Sequence, residues 1–298
     1  MNTKRIGQIA VWLALALYLI GGNIAQAEPQ KRDEGWQLKG NAAERYEHIL
    51  VPAIFDLWAT DLLTRLPPVA GERVLDVACG TGIVARRAAR LVGPGGKVVG
   101  LDYSPAMIAV AQTRDDGVGI EWRQGDAHAL PVDAASFDVV FIQQGLQFFS
   151  DQALALREVY RVLVSDGRVG VSVWLGVERN PYGRELAAAV ERHVDAALGA
   201  DMRTPFVKDA VGHLDTLLRE AGFREVHSEA VQIALRVPSL ADFVRQHLTA
   251  LPVAARLVEA GEATREALVS DVVQALSAYE TADGWAVPFE AAVASGKK

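Results

Sequence analysis

Between residues 73 and 174 the chain alternates between two hydrophobic periods. Short apolar runs from Arg73 to Ala78, Lys97 to Leu101, Phe137 to Ile142 and Arg168 to Trp174 read as strands. The stretches near Ile83 to Leu91, Pro105 to Arg114 and Gln152 to Leu163 carry apolar residues at helical spacing. This alternation predicts a parallel sheet with helices on both faces. Ser104-Pro105 supplies a helix N-cap followed by proline at the first helical position, and Gly93-Pro94-Gly95-Gly96 reads as a turn.

The flanking segments are more helical. Asn41 followed by Glu44 predicts a capping box and a helix from Ala42 that ends near Pro52. Ile54, Phe55, Trp58, Leu62 and Leu63 then form a second apolar face, closed by Pro67 and Pro68. After the alternating region, Glu185 to Leu198 and Asp209 to Ala221 read as helices, and Gly222 ends the second. Phe223 to Val237 reads as a long strand, Ser239 to Tyr279 as helical throughout, and Trp285 to Val293 as a final strand pairing with the Phe223 to Val237 run. Neither an internal repeat nor a low-complexity linker interrupts residues 28–298, so they are expected to form one domain with helical insertions.

Composition narrows the function. With 298 residues, half of them hydrophobic, the chain can bury a full core. A net charge of -7 gives no broad basic face, so nucleic acid is not an expected partner and a small-molecule substrate is. The single cysteine, Cys79, excludes an intramolecular disulfide and a cysteine metal cluster, and no metal site is expected. Residues 1–27 are different: Lys4 and Arg5 precede twelve apolar residues from Ile9 to Ile20, then Ala25-Gln26-Ala27. That is the layout of a secretory signal peptide, with an uncleaved membrane anchor or an over-extended start as the alternatives.

The candidate chemistry begins at "VLDVACGTG", Val74 to Gly82. With Ile83, Val84 and Ala85 it spells G-x-G-x-x-A, a pattern that suits a dinucleotide pyrophosphate held by backbone N–H groups at a helix start. Asp76 argues against that ligand. Like charges about 4 Å apart repel by roughly 4 kcal/mol at an effective dielectric of 20, so an ionised carboxylate beside a pyrophosphate is a handicap. S-adenosylmethionine has an ammonium and a cationic sulfur there instead. Asp102, twenty residues beyond Gly82, has the spacing at which a carboxylate meets adenosine ribose hydroxyls.

Five segments in order, "VLDVACGTG", "VVGLDYSPAMIAVA", "GDAHALPVDAASFDVVF", "QQGLQFFSD" and "EVYRVLVSDGRVGVSVW", resemble the class I S-adenosylmethionine-dependent methyltransferases. The likeness is to the type 11 group that includes ubiquinone and menaquinone biosynthesis enzymes, and it covers about Trp36 to Val293. It implies an α/β, Rossmann-like, doubly wound seven-stranded sheet, mostly parallel with the last strand antiparallel. Within 28–298 it implies a helical lid (28–66), a cofactor-binding half (67–175) and helical insertions capping the substrate (176–208 and 238–283). The implied cofactor is S-adenosylmethionine. Asp76, Ala78, Gly80 and Gly82 are then expected around its methionine end, Asp102 on the ribose, and Met107, Asp126 and Ala127 at the adenine. Gln143 is expected near the sulfonium and Tyr46 on the lid. Where relatives carry a proline and two glycines, this chain has Val164-Ser165-Asp166-Gly167, which alters only a turn.

No residue is marked as a general base; His48, His128 and His247 are the candidates. After the fourth strand "IQQG" stands in place of an acidic or polar residue and two prolines, and no suitably placed nucleophilic cysteine or carboxylate cluster occurs, which sets aside DNA amino-methylation, cytosine C5 methylation and metal-dependent catechol methylation. The expectation is O- or C-methylation of a small apolar, aromatic or quinone-like molecule. An NAD(P)-dependent oxidoreductase and an exported non-catalytic relative are the alternatives. The active site is expected in the cytoplasm, where the cofactor is made, with membrane association through residues 1–27 left open.

Overall fold

In the computed structural model the described residues are 41–114, 117, 119–251 and 254–298, so the signal-like or anchor-like segment and residues 28–40 of the expected lid lie outside them. The first described helix, α1 (Ala42–Arg45), begins where the Asn41 pattern predicts, but the Asn41 side chain makes no capping bond. The expected stop near Pro52 does not occur. The chain continues as a π-helical stretch (Tyr46–Phe55) with Pro52 inside it and runs on into α2 (Asp56–Arg65). Proline lacks the N–H a helix needs, and its ring crowds the carbonyl four residues back. A widened π turn accommodates both and keeps the axis continuous.

The alternating region then builds the sheet: β1 (Arg73–Val77), α3 (Ile83–Val92), β2 (Lys97–Asp102), α4 (Pro105–Thr113), β3 (Glu121–Gln124), β4 (Phe137–Gln143), α5 (Gln152–Val162) and β5 (Leu163–Trp174). Ser104 caps α4 as predicted, accepting from Met107 N–H, with Pro105 in the first turn. Asp166 adopts φ 62° in the altered turn segment, which β5 absorbs beside a register shift against β4.

The remaining elements are α6 (Pro181–His193), α7 (Ala196–Asp201), α8 (Ala210–Glu220), β6 (Arg224–Val237), α9 (Leu240–Thr249), α10 (Ala254–Ala260), α11 (Glu262–Ala275), β7 (Glu280–Thr281) and β8 (Gly284–Lys297). Two expected helices are broken. Asp195 caps α7 through the N–H groups of Ala197 and Leu198, which splits the 185–198 run from α6. The 239–279 run divides into α9, α10 and α11, with Gly261 at φ 86° before the last.

The strand order is β3-β2-β1-β4-β5-β8-β6, and two-residue β7 adds an eighth strand against β8. β1 to β5 pair in parallel, whereas β8 runs antiparallel to both β5 and β6. The last strand is therefore the reversed one and pairs with the Phe223 to Val237 run, as expected. One core layer lies under α2, α3, α6, α9 and α11, with Trp58, Leu62, Val84, Leu186, Val244 and Leu268. The other lies under α5 and α8, with Leu156, Val159, Leu214 and Leu218. Connections leave in opposite directions from β1 and β4, and in such sheets ligands sit outside the carboxyl ends at that switch point. No helix among the described residues is long and apolar enough to cross a membrane.

Candidate functional site

The loop after β1 takes the left-handed conformation three times, at Ala78 (φ 56°), Gly80 (φ 55°) and Gly82 (φ 88°). Gly82 is required by packing: a Cβ there would lie 2.1 Å from the Trp122 ring. It faces that indole and does not line the cavity. Gly80 is overlaid by Tyr46, whose hydroxyl would stand 3.7 Å from an added Cβ. Burial, followed by the carboxyl of Asp102, holds the Tyr46 phenol well above its ordinary pKa.

The two acids play different parts. Asp76 shares the β1 face of Val74, directed under α3, and is 1% exposed. Its Oδ2 accepts from Ala85 N–H at 3.0 Å, so it stabilises the first turn of α3 and does not line the cavity. Burial and then Asp102 push its carboxyl up to about 8, against the opposing pull of Ala85 N–H and Arg86. Asp76 thus supports the loop from beneath the helix that follows it. A pyrophosphate is disfavoured for another reason, since the loop spends its own donors: Gly80 N–H on Asp102 Oδ2 (2.8 Å), Gly82 N–H on the Cys79 carbonyl (2.8 Å) and Ala85 N–H on Asp76.

The raised Asp76 has a consequence for stability. The unfolded chain releases this proton near pH 4, whereas the folded chain holds it to about 8, so the folded state binds more protons in between. Its stabilising contribution is complete below that window and is lost as pH rises through it. The melting temperature should fall from pH 5 to 8, more steeply than in Asp76→Asn, which keeps an acceptor for Ala85. Parallel pH profiles for the two proteins would rule this out.

Asp102 ends β2 with Oδ2 on Gly80 N–H and Oδ1 on Ser104 N–H, both at 2.8 Å. A carboxylate offers about four lone-pair positions, so two remain for a ligand. Burial raises its pKa while these two N–H groups lower it. Asp102 borders a cavity of about 370 Å³ at the carboxyl ends of the strands, within the size range of small-molecule pockets. Tyr46, Ala78, Gly80, Met107, Asp126, Ala127, Gln143, His128 and His247 also line it. Gln143 Nε2 donates to the Phe55 carbonyl at 3.1 Å, but its buried Oε1 has no partner among the described residues. Leaving such an acceptor unpaired costs about 1–3 kcal/mol.

The three histidines separate clearly. His48 lies outside the cavity lining, with Nδ1 bonded to the Glu44 carbonyl at 2.7 Å and Nε2 to Arg114. It is not positioned to take a substrate proton. His128 Nε2 accepts from Asp151 N–H (3.2 Å), which leaves Nδ1 to donate to Asp126 Oδ1 (2.6 Å), so neither nitrogen is free. His247 faces the cavity with Nδ1 2.7 Å from the Tyr182 hydroxyl.

Much of the wall carries no sequence motif. Phe55, Trp174, Phe206 and Phe289 make an aromatic chamber with Tyr182, and Leu186, Met202 and Leu251 extend it. Trp174 packs edge-on to Phe289 at 5.1 Å and to Trp58 at 5.4 Å. Its position at the end of the fifth strand was a usable signal. Tyr182 and Phe206 had none, because α6 and the segment after α7 reach the cavity only through tertiary packing. In the second insertion Leu251 lines the cavity, while Phe243, Leu248 and Leu257 are core.

A family profile described as "Methyltransferase domain" matches residues 75–171. A demethylmenaquinone methyltransferase of Lactococcus lactis is 41% identical over 117 residues, 38% of this chain and 46% of that protein. The chain thus spans about half the length of that relative. A 2-phytyl-1,4-naphtoquinone methyltransferase of Thermosynechococcus vestitus is 35% identical over 180 residues, 57% of this chain and 80% of that one. Among solved structures, Haemonchus contortus phosphoethanolamine N-methyltransferase 2 shares the fold, with a TM-score of 0.52 and 22% identity over 81% of this chain and 52% of that chain. With the β3-β2-β1-β4-β5-β8-β6 sheet and the loop carried by β1, these likenesses place the chain in the class I S-adenosylmethionine-dependent methyltransferases, in their type 11 group.

Proposed function

We propose that this chain moves a methyl group from S-adenosylmethionine to an oxygen or carbon of a small, flat, largely apolar molecule, with quinone-type rings as the class its relatives' names suggest. The observation that carries the reading is Asp102, a buried carboxyl fixed by Gly80 and Ser104 N–H with two acceptor positions left at the cavity. A vicinal ribose diol fits that need, and the unpaired Gln143 Oε1 fits the ammonium of the methionine end. Met107, Ala127 and Asp126 Oδ2 would hold the adenine, with Ala78, Gly80 and Tyr46 against the amino acid portion.

Bound there, S-adenosylmethionine supplies a cationic sulfonium whose methyl leaves behind a neutral thioether. The chain's contribution is alignment and exclusion of water, which is worth roughly 7–11 kcal/mol when two reactants are held in line. Tyr46 and Phe55, their rings 4.9 Å apart and tilted by 32° on the π-helical stretch, close one side. Residues 41–66 act as the described part of the lid, and 176–208 with 238–283 as the substrate cap. Calorimetry tests the reading: S-adenosylhomocysteine should bind with a micromolar or tighter Kd and NADH should not. Binding of NADH alone would establish the oxidoreductase alternative. The reaction is placed in the cytoplasm, and an active chain beginning at Glu28 outside the cytoplasm in fractionation would contradict that.

A further inference from the structure

Tyr182 on α6 and His247 on α9 are 65 residues apart in the chain and meet in the aromatic end of the cavity. Their rings stack at 5.5 Å with an interplanar angle of 11°, and the Tyr182 hydroxyl lies 2.7 Å from His247 Nδ1. Phe243 packs at 5.5 Å from both rings, and Phe289 at 6.0 Å from Tyr182. This is the polar pair of an otherwise aromatic chamber, and the hydrogen count decides what it shows to a ligand.

Burial raises the Tyr182 phenol well above its usual pKa and lowers His247 to about 4, so both are neutral near pH 7. Tyr182 therefore keeps its proton. Its hydroxyl has one partner among the described residues, His247 Nδ1, and satisfies itself by donating there. Nδ1 is then the acceptor nitrogen, and the imidazole hydrogen sits on Nε2. No acceptor for Nε2 occurs among the described residues. The alternative tautomer would leave the buried tyrosine hydrogen without an acceptor, which costs more.

We propose that His247 Nε2–H, fixed in that tautomer by Tyr182, is the specificity-determining donor of the chamber and anchors a carbonyl or ionised oxygen of the acceptor molecule. His247 is then a hydrogen-bonding anchor rather than a general base, and Tyr182 is a positioning residue acting through it. The chamber favours molecules that present an oxygen acceptor on a flat apolar ring over those that present only an N–H donor. This rests on reading the aromatic end as the place for the methyl acceptor.

The test uses three flat bicyclic probes on protein saturated with S-adenosylhomocysteine: 1-tetralone (acceptor), indole (N–H donor with no acceptor lone pair) and naphthalene (neither). Wild type should bind 1-tetralone about tenfold more tightly than naphthalene, the worth of one hydrogen bond in an apolar site. His247→Leu should abolish that preference and leave naphthalene binding within about twofold. Tyr182→Phe releases the tautomer, so indole should gain relative to 1-tetralone, a change that lost packing alone does not produce. Wild type that binds indole as well as tetralone, or a His247→Leu variant with an unchanged preference, overturns the anchor. Calorimetry with S-adenosylhomocysteine reports separately. Protein that ignores it while still preferring the ketone defeats the methyl-transfer reading and leaves the anchor standing.

Discussion

Asp102→Ala should weaken binding of S-adenosylhomocysteine by roughly 100-fold, the equivalent of about 3 kcal/mol. Two losses add. The ligand diol loses a charge-assisted acceptor, and the N–H groups of Gly80 and Ser104 lose the oxygens that hold them at 2.8 Å. The Gly80 amide belongs to the loop under Tyr46, so its release also loosens the surface against which the ligand packs. Asp102→Asn separates the effects. It preserves volume and one acceptor oxygen, and should cost roughly tenfold, because its NH2 group points a donor at either Gly80 N–H or Ser104 N–H. Calorimetry beside thermal melts would read both, and a change below about fivefold in the alanine variant would remove Asp102 from the binding site.

The parts of this architecture that could be read from sequence are those fixed by local chemistry. Strands β1, β2, β4 and β5 are apolar runs because both of their faces are covered, and their ends agree with expectation to within a few residues except at β5, which begins five residues earlier. Ser104-Pro105 started a helix where such a pair must. Pro52 misled because the π-helical turn that accommodates it depends on what covers it, including Phe55 against Trp174, and not on the residues beside it. Asp76 depends on its surroundings in a related way. Its spacing to Gly80 placed it at the loop, but the pleat of β1 turned its side chain beneath α3, and only the neighbours there set its charge. The glycines also divided by surroundings: Gly80 lies at the cavity, while Gly82 makes room for Trp122. The apolar chamber was least legible, since Tyr182, Phe206 and Phe289 come from separate elements and look in sequence like ordinary core residues.

Arg86→Met should destabilise the folded chain by about 3 kcal/mol, the usual consequence of leaving one member of a buried ion pair alone. Arg86 and Glu47 are 8% and 10% exposed at their side chains and 2.9 Å apart. Glu47 also accepts from the Thr81 hydroxyl, and Arg86 donates to the Thr81 carbonyl, so the pair ties the π-helical stretch to the loop between Gly80 and Gly82. Tyr46 is the residue before Glu47 and lies over Gly80, so the pair fixes the cover on the cavity as well as the fold. Denaturant unfolding should show the stability loss in Arg86→Met and a comparable one in Glu47→Gln. The double variant should lose less than the two singles together, because no unpaired charge remains buried. S-adenosylhomocysteine should dissociate faster from each single variant, with Arg87→Met as the control: that arginine pairs with Asp56 on α2, one third exposed and away from the loop, and is worth about 1 kcal/mol or less. Additive single losses with unchanged dissociation would mean that the pair packs the core without holding the lid.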